Sequence, residues 1–164
     1  MTAEAVIQRI TREFEDLVPK ATWGETSLFY NPGKALKNGI YFATIKEHDG
    51  ENDKASHLDR EGVFRLSFGL PPARYEHLFG SRPPRPDKGG VFPTGHDFTA
   101  LNELMPHPVY AWMGWVQVLS PPDQTMRDLT PLLTQAYEKA RTGFTRRIRE
   151  SSSETRDRDT RLSY

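Results

Sequence analysis

"LMPHPVYAWMGWVQVLSPP", Leu104–Pro122, places two Trp, one Tyr, one His and four Pro within nineteen residues. From Val109 to Leu119 it alternates. Tyr110, Trp112, Gly114, Val116 and Val118 share one side, and Ala111, Met113, Trp115, Gln117 and Leu119 the other. A period of two is that of a β-strand, so this run is expected to be the longest strand, in the middle of a small core. Reading it as strand decides the fold class. One of its surfaces is left open to a ligand.

Beyond Pro122 the period changes. Leu129, Leu132, Leu133, Ala136, Tyr137, Ala140 and Phe144 recur at three-to-four spacing. They predict a long amphipathic helix, opened by Thr125 with Asp128 as its capping-box partner. Upstream, "EGVFRLSFGL" alternates Phe64, Leu66 and Phe68 with Arg65 and Ser67. One face is therefore expected to be buried and the other to meet solvent or a ligand. "GIYFATIKE", Gly39–Glu47, predicts another strand, with Tyr41, Ala43 and Ile45 on one side and Phe42 and Thr44 on the other. "PPARYEHLFG" predicts a short helix started by Pro71 or Pro72 and stopped by Gly80. Near the N-terminus Val6, Ile7, Ile10, Phe14 and Leu17 form a helical stripe, capped by Thr2 and ended before Pro19. "ATWGETSLFYNPG" follows as a loop and a short strand. The polar runs His48–Arg60 and Ser81–Gly90 read as surface excursions. These elements predict a single α+β domain over residues 1–150, a mostly antiparallel sheet covered by N- and C-terminal helices. Residues 151–164, "SSSETRDRDTRLSY", have no apolar rhythm and are expected to form a disordered or frayed tail.

Composition narrows the function classes. Lys plus Arg and Asp plus Glu both number 22, so no general charge argument favours a polyanionic partner. From Arg141 onward, seven Arg stand against two Glu and two Asp. With no cysteine, disulfides, thiolate nucleophiles and sulfur-ligated zinc are excluded. Neither a signal-peptide pattern nor a membrane-spanning run is present, which makes a cytoplasmic protein the expectation.

Several polar groups could carry chemistry. Asp59, Arg60 and Arg65 could recognise an anion, because arginine presents a fork of donors; a local Asp–Arg bridge fixing the turn is the competing reading. His96 and Asp97, or His107, could act as acid–base groups, although no nucleophile motif accompanies them. The pairs His48-Asp49, His57-x-Asp59 and His96-Asp97 carry metal-ligand chemistry without the spacing of a compact motif. No metal or cofactor is therefore expected. Trp115 could line an aromatic pocket with His107. Arg141, Arg146, Arg147 and Arg149 could form a nucleic-acid surface, or simply solvate the last helix and complement its end.

The strings "LDREGVFRL" and "MPHPVYAWMGW", within the order "YFATI…SHLDREGVFRLSFGL…TGHDFTALNELMPHPVYAWMGWVQVLSPPDQTM…LLTQAYEKA", resemble the small actinobacterial proteins grouped as domain-of-unknown-function family 6194. The resemblance covers roughly residues 4–148 and implies no reaction. More distantly, the opening helix, mid-chain strands, "WVQVLSP" and closing "LLTQAYEKA" are similar to the MmcQ/YjbR and frataxin-like fold. The first helix mixes Glu4, Glu13, Glu15 and Asp16 with Arg9 and Arg12, which does not match the acidic ridge that iron binding implies there. The reading these features favour is a non-catalytic module binding a small organic or anionic ligand or a protein partner, as monomer or homodimer. Its site would include Asp59, Arg60, Arg65, His107 and Trp115. A small His/Asp/Arg enzyme and an Arg-rich nucleic-acid module remain the alternatives.

Overall fold

A computed structural model describes the backbone of residues 1–162 and, except at 157 and 159–162, the surroundings of their side chains. Helix α1 (Ala3–Glu13) is capped by Thr2, whose Oγ1 accepts the Ala5 N–H at 3.1 Å. Val6 and Ile10 are fully buried. The helix ends earlier than the stripe suggests, and Leu17–Thr22 is a strand, β1. Pro19 lies inside that strand. A proline there removes no ladder bond, because β1 is an edge strand that pairs only with β2 (Glu25–Tyr30). Trp23 and Gly24, the latter at φ 71°, turn the chain between them.

Strand β3 (Ile40–Lys46) carries an irregularity opposite Leu28/Phe29: Leu28 faces Ala43, while Phe29 faces Tyr41. The extra residue breaks the expected alternation. Phe42 turns into the core beside Ala43 and Ile45, and Tyr41 faces outward at 57% exposure. Strand β4 (Arg65–Gly69) and helix α2 (Pro72–Phe79) follow as the sequence predicts, although Leu78 of α2 is exposed.

The expected long strand is divided. Met105–Pro106 forms the short β5, a 3-10 turn spans Ala111–Met113, and only Trp115–Leu119 is the strand β6. Gly114 makes the break at φ 87°, where a Cβ would stand 2.9 Å from the Leu70 carbonyl oxygen. Its own carbonyl accepts the Leu70 N–H at 3.1 Å. Alternation continued through Tyr110–Gly114 without the extended backbone that would give it meaning. Trp112 and Trp115 therefore do not oppose one another across one strand.

The sheet order is β1-β2-β3-β4-β6-β5, antiparallel throughout its named pairs. Helix α3 (Asp123–Leu162) packs over β2, β3 and β4, and α1 packs over β3. It begins before Thr125, whose hydroxyl donates to Asn102 Oδ1 at 2.6 Å instead of capping the helix. It also continues past Glu150, with residues 151–156 exposed on every side; positions 163–164 of the expected tail lie outside the described residues. Beneath the helices, Leu28, Ala43, Ile45, Leu66, Phe68, Val116 and Val118 share one sheet face. Each large apolar side chain buried there contributes about 1.5–3 kcal/mol. Phe14, Tyr30, Phe42, Tyr137 and Phe144 close one end as an aromatic cluster. The result is one small α+β domain with terminal helices on one face. Among the described residues no helix is long and apolar enough to cross a membrane.

The second sheet face is polar yet buried. Ser67 and Gln117 lie directly opposite one another and are fully covered, and Arg65 is 2% exposed. Two loops provide the cover. Ser56 Oγ donates to Gln117 Oε1 at 3.0 Å, and Gln117 Nε2 donates to the Phe98 carbonyl at 3.2 Å. Arg60 ties the same loops by donating from Nη2 to the Ser56 and Thr99 carbonyls.

Candidate functional site: a polar cavity on the second sheet face

Alternation within β3 and β4 sends Thr44, Lys46 and Arg65 away from the helices, where they line a cavity of about 780 Å³. Lys46 faces Arg65 across the strand pair, which sets two cations side by side. Like charges so placed repel unless countered. Asp53, from the 47–64 loop, supplies the counter-charge through a two-point pair with Arg65. Nη1 donates to Oδ1 at 3.0 Å, and Nη2 donates to Oδ2. Lys46 Nζ lies 3.2 Å from Glu25 Oε2 and 3.9 Å from Asp53 Oδ2. Burial alone would raise the Asp53 pKa. The Arg65 hydrogen bonds and charge, with lesser help from His107 and Lys46, overcome that and hold it at about 2.

His107 enters from the end of β5. Its ring is 2% exposed, and Nδ1 accepts the backbone N–H groups of Val109 at 3.0 Å and Tyr110 at 3.1 Å. Those bonds place the single proton of the neutral ring on Nε2, leaving a donor and no free lone pair. Burial, assisted by the Arg65 charge, pushes its pKa well below the usual histidine value. Phe29, Tyr41, Tyr110, Met113 and Trp115 form the apolar part of the wall.

The cavity is rich in donors. Among the described residues Arg65 Nε is buried without a hydrogen-bond partner, as is Ser67 Oγ beneath the same face. The hydrogen bonds of His107 among the described residues are both at Nδ1, which leaves Nε2–H facing the cavity as a further donor. Among the described residues, four cationic side chains, Lys20, Lys46, Arg65 and Arg147, line the space against three carboxylates, Glu25, Glu51 and Asp53. Buried donors left without acceptors each cost about 1–3 kcal/mol, so the arrangement favours an acceptor-rich occupant.

Of the five ligand residues expected from sequence, Arg65, His107 and Trp115 line this one cavity, whereas Asp59 and Arg60 line a different surface beside Met1 and Phe64. Asp59 lies 3.1 Å from His48 Nδ1, and Arg60 spends its guanidinium on carbonyl groups. The local bridge is therefore Asp53–Arg65, not Asp59–Arg60. His96 bonds Thr94 at 2.8 Å and packs edge-on to Phe79, while Asp97 accepts from the Thr99 backbone and hydroxyl. Their contacts do not join them to His107. Among the described residues no three His, Asp or Glu side chains gather as a metal-ligand set.

The arginines of the nucleic-acid alternative are dispersed in role. Arg141, paired with Glu138, lines an open groove along α3 together with Arg146 and Arg149, whereas Arg147 reaches the cavity rim. Two further arginines that such a surface would need to recruit are engaged as well: Arg82 pairs with Glu76, and Arg85 lies over the Trp112 ring. Sequence reasoning missed Lys46 and Asp53. Lys46 had a legible signal, since it sits two residues from Thr44 on the same side of the strand. Asp53 had none beyond its place in a polar loop.

A model of one protein family matches residues 1–149. The chain belongs to the Family of unknown function (DUF6194). No curated protein and no solved structure matches the DUF6194 chain. The match spans all six strands and most of α3, so every residue named around the cavity falls within the family region.

Proposed function

We propose that the chain is a non-catalytic binding module, working in the cytoplasm, whose cavity holds a small organic ligand with an anionic, acceptor-rich head. The observation that carries this reading is Arg65 Nε, a buried donor without an acceptor among the described residues, in a cavity whose described cations outnumber its described carboxylates. The head would meet Lys46, Arg65 and His107 Nε2–H, and the body would lie against Tyr41, Tyr110 and Trp115. Catalysis has less support, because His107 presents a proton on Nε2 and keeps its other nitrogen occupied. The distant kinship with MmcQ/YjbR-like proteins belongs to the same proposal, supported by the terminal helices on one face of an antiparallel sheet.

Thermal unfolding with small hydroxy- and keto-carboxylates, compared with neutral polyols of equal size, tests the reading. A ligand at a hundred times its Kd stabilises by about 2.7 kcal/mol, equivalent to a Tm rise of roughly 5–10 °C for a chain of this length. Carboxylates are expected to give that rise and Lys46→Gln to remove it. Equal shifts from the neutral compounds, or full shifts in Lys46→Gln, would overturn it.

A further inference from the structure

A second opening, of about 960 Å³, lies at the end of the sheet between α2 and α3. Its walls are largely apolar, but its charged groups are one-sided. Among the described residues, Arg74, Lys139 and Arg146 face one acid, Glu138, which is already paired with Arg141 at 2.9 Å. Lys139 donates to the Leu70 carbonyl at 3.2 Å and has no carboxylate within ion-pair distance among the described residues. Burial, with the neighbouring Arg82 charge, lowers its pKa, which marks a desolvated ammonium lacking a counter-charge. Arg74 Nε is buried without a partner among the described residues.

Gly69 brings two donors together. The point where its Cβ would stand is 2.9 Å from Trp115 Nε1 and 3.4 Å from Lys139 Nζ. Trp115 Nε1–H has no hydrogen-bond partner among the described residues. One helical turn beyond Lys139, Gly143 occupies the interior of α3, where glycine is a poor helix former. A Cβ there would meet only Ile40 Cγ2, at 3.5 Å, an ordinary contact. Packing does not require glycine at this point. Its effect is to leave the groove floor open between an apolar wall and the unbalanced cations.

We infer that this groove is a second ligand site, taking a small amphiphilic carboxylate: the head sits on Lys139, Arg74 and Trp115 Nε1–H, and the apolar body lies along Ile40 and Gly143. The inference does not depend on the reading of the first cavity. Isothermal titration of the full chain with octanoate and with neutral octanamide tests it. Octanoate is expected to bind at least about tenfold more tightly than octanamide, the value of one charge-assisted contact. Lys139→Met should abolish the preference. Gly143→Leu should block both ligands without lowering the Tm, since leucine is the better helix former. Equal affinity for acid and amide, absence of binding to the wild type, or unchanged octanoate binding in a folded Gly143→Leu chain would each overturn the proposal. Octanoate binding lost in Lys46→Gln but kept in Gly143→Leu would place the ligand in the first cavity and overturn it as well.

Discussion

Removing Asp53 is expected to cost far more than a loop aspartate ordinarily would. Arg65 is 2% exposed, and Asp53 is the carboxylate that pairs with it. Asp53→Ala leaves a buried guanidinium uncompensated, a change that costs about 3–5 kcal/mol in comparable settings. Arg65→Met should be milder, about 1–3 kcal/mol, because the Asp53 side chain is 14% exposed and still has Lys46 Nζ at 3.9 Å. The double variant Asp53→Ala/Arg65→Met removes both the charge and the need for its partner. It should therefore be more stable than Asp53→Ala alone, with a coupling of about 2 kcal/mol or more. Urea unfolding followed by tryptophan fluorescence and by circular dichroism measures all four corners of this cycle. A cost below about 1 kcal/mol for Asp53→Ala, or strictly additive single effects, would mean that the buried guanidinium does not depend on Asp53 for its counter-charge.

Acid should weaken the fold in two stages. Asp53 has its pKa depressed from 3.8 to about 2, so its stabilisation is complete above the unfolded value and is lost as pH falls from about 4 to 2. That contribution is worth about 2 kcal/mol, and Asp53→Asn should flatten this part of the urea-midpoint profile. His107 is held neutral with a depressed pKa, so it begins to cost stability as pH drops below its unfolded value of 6.5; His107→Gln should remove that upper slope. Gln117→Leu breaks the link from Ser56 to Phe98 and strands a buried hydroxyl, for a loss of about 1–3 kcal/mol; hydrogen exchange should quicken in both covering loops together. Opposite signs are expected at two glycines under urea unfolding. Gly114→Ala, left-handed and crowded by the Leu70 carbonyl, should destabilise by about 2 kcal/mol or more, and Gly143→Ala should stabilise by up to about 1 kcal/mol.

The legible parts of the fold were those written as uninterrupted periods. The stripe from Leu129 to Phe144 and the alternation of Phe64, Leu66 and Phe68 identified the helix-covered face, because helix and strand repeats differ. Where one residue changes the register, composition gave no warning. The irregularity at Leu28/Phe29 exchanged the expected places of Phe42 and Tyr41, and left-handed Gly114 ended an alternation that otherwise looked continuous. Strand β1 was hidden because Pro19 reads as a stop, and only its edge position makes it harmless. The candidate site was legible in part for the same reason. Arg65 could be placed on a polar sheet face, but that face proved to be covered rather than solvent-facing. Its pairing with Asp53, twelve residues upstream, depends on how the 47–64 loop folds back. Proximity in sequence suggested Asp59 and Arg60 instead, whose bonds serve the loops.

A ¹H–¹⁵N NMR screen of small organic anions, with full assignment of the backbone and the histidine rings, interrogates the donor-lined cavity atom by atom. Binding at the site is expected to move the Lys46, Asp53 and Arg65 amides and His107 Nε2–H together, with neutral analogues of the same compounds leaving them in place. Anions that bind elsewhere on the chain, or leave those four signals fixed at saturating concentration, would rule the cavity out as an anion site.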